Sequence, residues 1–248
     1  MKRILMLLTI LLIPFLLSGC YIKKTFKYDD YIKYLDNKNC DINDPQKAPC
    51  NLKGKYEVVS ENLNLEKPYM EFKIKDTDIV FKVFQTYSCS GTLDGSGCFG
   101  KKDVLRDNYN GSATRYYIEK YDEQIGVDSC REKFPDGKCY YTSLPAISTK
   151  ENLKETIDYL NGFIDYINKL GYRVLERYTH FVSRFSSTTN PNGKEISISF
   201  YIDIDNNGKY VYRTYYKNGS NPHLYEAEDG KLETFIDNYM REKNITLN

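Results

Sequence analysis

The chain has 248 residues, 41% of them hydrophobic and 28% charged, with 35 Lys and Arg against 34 Asp and Glu, two His, seven Cys, no Trp and 24 Tyr. A formal charge of +1 gives no basis for a nucleic-acid partner, whose binding rests on clustered Lys and Arg neutralising phosphates. The one continuously apolar stretch, near the N-terminus, is too short for a polytopic membrane protein, and the abundance of Tyr and Phe, which disordered segments lack, points to a packed core.

In chain order, Lys2 and Arg3 precede the uncharged run from Ile4 to Leu17, which ends in Leu17-Ser18-Gly19-Cys20. A basic start, an apolar stretch of this length and a small-residue ending form a secretory signal. The Leu-Ser-Gly-Cys ending resembles the lipobox of bacterial membrane lipoproteins, and the resemblance covers residues 1–20 only. It implies that residues 1–19 are removed and that Cys20 becomes an acylated N-terminus, its thiol carrying a diacylglyceryl group. The lipid bilayer is then the first partner, held from the outer or periplasmic side of a cell membrane, and two or three acyl chains hold stably where one does not. The mature chain would have 229 residues, with 33 positive against 34 negative.

No Gly/Ser/Pro spacer follows Cys20, so residues 20–26 form a short tether that reaches about 25 Å at ~3.5 Å per residue. The folded region from 27 to 248 should therefore sit near the bilayer. Lys23, Lys24 and Lys27 either meet anionic head groups or are merely solvated.

Residues 27–37, with Ile32 and Leu35 among Tyr28, Tyr31 and Tyr34, read as a short amphipathic helix. The six cysteines beyond Cys20 form three close pairs, Cys40 with Cys50, Cys89 with Cys98, and Cys130 with Cys139. The segments between them are rich in Asp, Asn, Pro and Gly and can turn the chain back. Other connectivities are possible, but short turn-rich loops favour these three, each adding about 2–3 kcal/mol by restricting the unfolded chain. Zinc would want C-x-x-C pairs with His nearby, which are absent.

From Lys55 to Tyr87 the pattern has period two. Met70, Phe72 and Ile74 alternate with Glu71, Lys73 and Lys75, and the run Ile79 to Tyr87 alternates again after Asp76-Thr77-Asp78, which predicts a hairpin. Residues 88–111 read as glycine-rich and irregular, and Thr114 to Tyr121 as another strand.

The clearest helix spans about 149–170. Ser148 with Glu151 has the form of a capping box and Gly171 stands as a C-terminal cap. Leu153, Ile157, Leu160, Ile164 and Ile167 repeat at helical spacing, with Tyr159, Phe163, Tyr166 and Leu170 widening the apolar face. The cleanest strand follows, with Ile196, Ile198, Phe200, Ile202 and Ile204 on a buried side and Ser197, Ser199, Tyr201, Asp203 and Asp205 on a wet one. Turn sequences flank it, so 172–187, 195–205 and 209–217 should form an antiparallel meander. A last helix near 231–243 presents Leu232, Phe235, Ile236, Tyr239 and Met240. The fold class is α+β: antiparallel meanders with helices on one face, stapled by local disulfides, with two lobes, 27–145 and 146–248, as one possible organisation.

Two motifs are set aside. Gly95 to Gly100 matches G-x-G-x-x-G but lies inside a cysteine loop, without the strand before and helix after that a dinucleotide site needs. Asp203 to Gly208 matches half a calcium loop, yet Thr214 stands where a bidentate Glu belongs. No cofactor and no metal is expected.

Pairing Phe185 with Phe200 and Phe181 with Ile204 puts His180 opposite Asp205, near Asp203, Tyr201 and Arg184. A histidine held by a carboxylate suits general acid/base work, so His180 with Asp203 or Asp205 is the candidate catalytic group, although no nucleophile accompanies it. The tyrosines suit a recognition surface; Tyr201, Tyr210, Tyr212, Tyr215 and Tyr216, with Arg184, are the candidate binding face.

The leading expectation is an anchored lipoprotein with a non-catalytic binding domain for a protein or envelope component. An anchored envelope hydrolase is the alternative. A solute-binding lipoprotein is a weaker third, since the alternating strand and helix order of two α/β lobes is missing.

Overall fold

The computed structural model describes residues 24–38, 52–89, 101–130, 137, 139–170, 175, 179–185, 196–205, 209–212 and 232–247 with their side chains, and the backbone of 91–93, 97–99, 213–218 and 221–226. Cys20, Cys40 and Cys50 lie outside the described residues. The chain divides into two compact units, residues 1–37 with 52–109, and residues 38–51 with 110–248.

In the first unit, α1 (Tyr28–Asp36) precedes β1 (Tyr56–Asn62), β2 (Tyr69–Ile74) and β3 (Val80–Ser88). Next come a small hairpin of β4 (Gly91–Leu93) and β5 (Gly97–Phe99), and then β6 (Lys102–Asp107). The four longer strands form an antiparallel sheet in the order β1-β2-β3-β6. The period-two pattern places Met70 and Phe72 of β2 and Phe81 and Val83 of β3 in the core, with Phe72 opposite Phe81 and their rings 5.8 Å apart. α1 buries Tyr31 and Leu35 and is tied to the sheet by two phenols, Tyr34 donating to Asp107 at 2.6 Å and Tyr56 donating to Asp36 at 2.8 Å. Residues 88–111, expected to be irregular, hold β4, β5 and β6 instead. Gly91 and Gly97 lie in the two strands of the small hairpin. Lys24 is drawn to its own unit: its N–H donates to Asp103 at 2.9 Å and its ammonium lies 4.6 Å from the Phe26 ring centre.

The second unit holds α2 (Tyr109–Ile125, beginning at the division), α3 (Lys150–Lys169) and α4 (Leu232–Glu242). Its antiparallel sheet has the order β10-β9-β8-β7, built from β7 (His180–Phe185), β8 (Ile196–Ile204), β9 (Tyr210–Asn218) and β10 (Asn221–Glu226). The expected three-strand meander is present, with β10 as a fourth strand. Helices α3 and α4 cover the same face: Phe163 meets Phe181 at 5.2 Å and Tyr239 meets Phe185 at 6.0 Å between ring centres, and Phe181 and Phe185, four apart on one strand, point the same way. Residues 142–147 run parallel to β7 and cover its free edge: Leu144 N–H donates to Val182 O at 2.8 Å and Ile147 N–H to Arg184 O at 2.7 Å.

Two local expectations are corrected here. Thr114 to Tyr121 is helix, not strand. Its Thr, Tyr and Ile residues favour strands locally, but Ala113-Thr114, Tyr117-Ile118 and Tyr121-Asp122 are buried as doublets four apart, the 3.6-residue period winning over propensity. The cap of α3 is Thr149, whose hydroxyl accepts from Asn152 N–H at 3.1 Å, while Ser148 donates to the Asn152 side chain at 2.9 Å. Thr149 is the residue with extended backbone before the helix, so the capping hydroxyl shifts one place along. The Cys130–Cys139 disulfide forms, with Cα atoms 5.2 Å apart, and Cys89 is also disulfide-bonded. Among the described residues no helix is long and apolar enough to cross a membrane.

Candidate functional site

The β7–β8 register decides the fate of the histidine group. Phe181 pairs with Phe200 and Phe185 with Ile196, so His180 stands opposite Tyr201 and Arg184 opposite Ser197. The expected pairing of His180 with Asp205 is therefore not formed. The imidazole of His180 instead stacks on the Tyr201 ring, 5.0 Å between centres, on the exposed side of the sheet. Asp205 closes the β8–β9 hairpin: its carboxylate accepts from Lys209 N–H at 2.8 Å, and its own N–H donates to Lys209 O at 2.8 Å. Asp203 lies on the side expected to be wet, yet it is 4% exposed, and its carboxylate accepts from Ile204 N–H at 2.7 Å.

The tyrosine face divides in the same way. Tyr210 and Tyr212 are core residues and not a binding surface. The Tyr210 hydroxyl accepts from Leu175 N–H at 2.8 Å and donates to Leu175 O at 3.0 Å. The Tyr212 hydroxyl donates to Leu160 O at 2.9 Å, and burial pushes its phenol well above the ordinary range, with Tyr159 and Tyr121 adding to the effect. Tyr201 is half-buried and Arg184 exposed, so these two, of the candidate binding residues whose side chains are described, stay at the surface. The side chains of Tyr215 and Tyr216 lie outside the described residues.

A different part of the second unit forms a cavity. The carboxyl end of α2, the segment around Leu144 and Pro145, and the first half of α3 enclose about 470 Å³, within the size range of small-molecule sites. Gly126, at φ +70°, ends α2 in the left-handed conformation that glycine adopts without penalty. Val127 N–H returns to Asp122 O at 2.9 Å, which holds Ile125 and Val127 at the cavity wall although they are 42% and 45% exposed. The aromatic wall is Tyr121 and Tyr159, ring centres 5.3 Å apart. Tyr121 also packs on Phe163 and Tyr166 and lays its hydroxyl against Gly162, where α3 carries no side chain.

The polar part of the lining comes from α3: Asn152, Glu155, Thr156 and Asp158. Thr156 is buried, while Glu155 and Asp158 are exposed. Asp158 bonds to Lys154 at 2.6 Å, and the Lys154 ammonium is held more firmly in its charged form by that carboxylate. Among the described residues the lining thus contains two carboxylates and no Lys or Arg. Apolar walls with a few polar groups at one side form a binding surface: the walls supply burial and the polar groups supply orientation.

None of these residues was singled out from the sequence as a site. The available signal was the solitary apolar pair Ile125 and Val127 around a helix-ending glycine, opposite acidic positions of α3. No protein-family model, curated protein or solved structure matches the chain.

Proposed function

We propose that the chain is an exported, membrane-anchored lipoprotein, acylated at Cys20, whose folded region binds a protein or envelope component without catalysis. The cavity between α2 and α3 carries the binding part of this reading. It is a concave, largely apolar recess of about 470 Å³ whose rim residues Ile125 and Val127 present apolar surface beside it, the form of a small-molecule site. The sequence Leu17-Ser18-Gly19-Cys20 supports the anchor.

Two measurements test the two halves. The intact mass of membrane-extracted protein, before and after reduction and alkylation, should show acyl chains on Cys20; an unacylated protein in the soluble fraction would overturn the anchor. A photo-crosslinking residue at Val127, used in cells, should give an adduct of discrete mass. Uniform low labelling at Val127 and at Val59 of β1, which is somewhat more exposed, would overturn the binding reading.

A further inference from the structure

The cavity has a charge bias that its shape does not require. Among the described lining residues, those charged at neutral pH are Glu155 and Asp158. Asp158 already holds Lys154 at 2.6 Å, whereas Glu155 makes no ion pair or hydrogen bond among the described residues. The carboxyl end of α2 forms another wall and has no basic residue in its last turn, so the negative pole of that helix is not offset there. The opposite pole, at the amino end of α3, is answered within its own first turn by the Thr149 hydroxyl and by Glu151. Among the described residues this leaves Glu155 and the carboxyl pole of α2 without an offsetting cation, next to two phenol rings whose faces attract cations.

We propose that this cavity binds a small amphipathic amine, its ammonium at Glu155 and its apolar body against Tyr121, Tyr159, Ile125 and Val127. The inference deepens the binding function proposed above by naming the ligand class of the same site. A volume of about 470 Å³ holds a small molecule, and the walls are too apolar for an inorganic cation, which would want a shell of oxygen ligands. An anionic ligand would be repelled by Glu155, and a neutral one would leave Glu155 without a counter-charge.

The test uses the full mature protein in lipid nanodiscs, with empty nanodiscs as the blank, and three probes of similar size: phenethylamine, phenethyl alcohol and phenylacetate. Dissociation constants come from ligand-observed NMR titrations. Phenethylamine should bind at least about tenfold more tightly than the alcohol, the scale of one charge-assisted contact, and phenylacetate should bind most weakly. Glu155→Gln, at an exposed position that leaves the core intact, should bring the amine down to the level of the alcohol. Asp158→Asn should have a smaller effect, because Asp158 is already paired.

Equal binding of amine and alcohol, or an unchanged amine affinity in Glu155→Gln, would overturn the assignment to amines. So would a lack of binding by all three probes at millimolar concentration. In each case the adduct at Val127 judges the broader binding function separately: a crosslink formed while the amine preference fails leaves a binding domain with a different ligand.

Discussion

Gly162→Ala sets two effects of known size against each other at the back wall of the cavity. In the interior of α3, replacing Gly by Ala should by itself stabilise the helix by about 1 kcal/mol. A Cβ at that position, however, would overlap the Tyr121 hydroxyl and stand 3.1 Å from Cζ and 3.8 Å from Cε2 of the same ring. Tyr159, Phe163 and Tyr166 hold the ring with centres at 5.3, 5.6 and 5.6 Å, so it can retreat only into the cavity it lines. Overpacking of this kind costs about 1–3 kcal/mol. The net expectation is a loss of up to about 2 kcal/mol, or a fall of up to roughly 8 °C in Tm for a chain of this size. In a Tyr121→Phe background the hydroxyl overlap is gone and only the tight Cζ approach remains. Gly162→Ala should then be close to neutral, giving a coupling of about 1 kcal/mol or more in the double-mutant cycle. Urea unfolding of the four proteins measures it. Gly162→Ala above wild-type stability, or an equal effect in both backgrounds, would refute the packing argument.

Tyr212→Phe should lose about 1 kcal/mol at neutral pH with its bond to Leu160, but gain in resistance to alkali. A phenol whose folded pKa is raised contributes stability that is fully present below its unfolded value near 10 and is lost as pH rises beyond it, so urea midpoints between pH 10 and 12 should fall less steeply in the variant. Replacing Cys130 and Cys139 together by Ala reopens a loop of nine residues' separation and should cost about 2–3 kcal/mol; an unchanged urea midpoint would mean that the loop is held by other contacts. His180→Ala removes only an exposed ring stack and should cost less than about 1 kcal/mol, so a loss above about 2 kcal/mol would show that His180 holds more of the sheet together than its stack on Tyr201.

The elements with a clean period were legible in the sequence. Met70 and Phe72 against Glu71 and Lys73 gave β2, and Ile198, Phe200 and Ile202 gave the buried side of β8, because burial on one face leaves no freedom in how apolar residues alternate. Thr114 to Tyr121 of helix α2 reads as a strand because the helical signal lies in doublets that include Thr114 and Asp122, two polar residues buried in the packed unit. A hydrophobicity pattern does not count such residues, and the tyrosines between them favour either state. That misreading also concealed the cavity, since one of its walls is the carboxyl end of the missed helix.

The error over His180 has a different physical origin. Pairing Phe181 with Ile204 and pairing it with Phe200 differ by four residues along β8. A shift by an even number keeps every apolar side chain on the same face, so alternation, which rejects odd shifts at once, is silent between the two. What separates them is the partner each side chain meets across the ladder. In the observed register Phe200 faces Phe181, Ile196 faces Phe185, and Tyr201 lies under His180. Moving His180 to Asp205 would carry Phe181 to the end of β8, beside the residue whose backbone closes the hairpin with Lys209, and would separate Phe181 from the Phe200 that it packs against. Sequence periodicity therefore assigns His180 to a face, and only the packing of the phenylalanines assigns it a neighbour. The neighbour is an aromatic ring instead of a carboxylate, which is why the cavity, and not the histidine, carries the functional proposal.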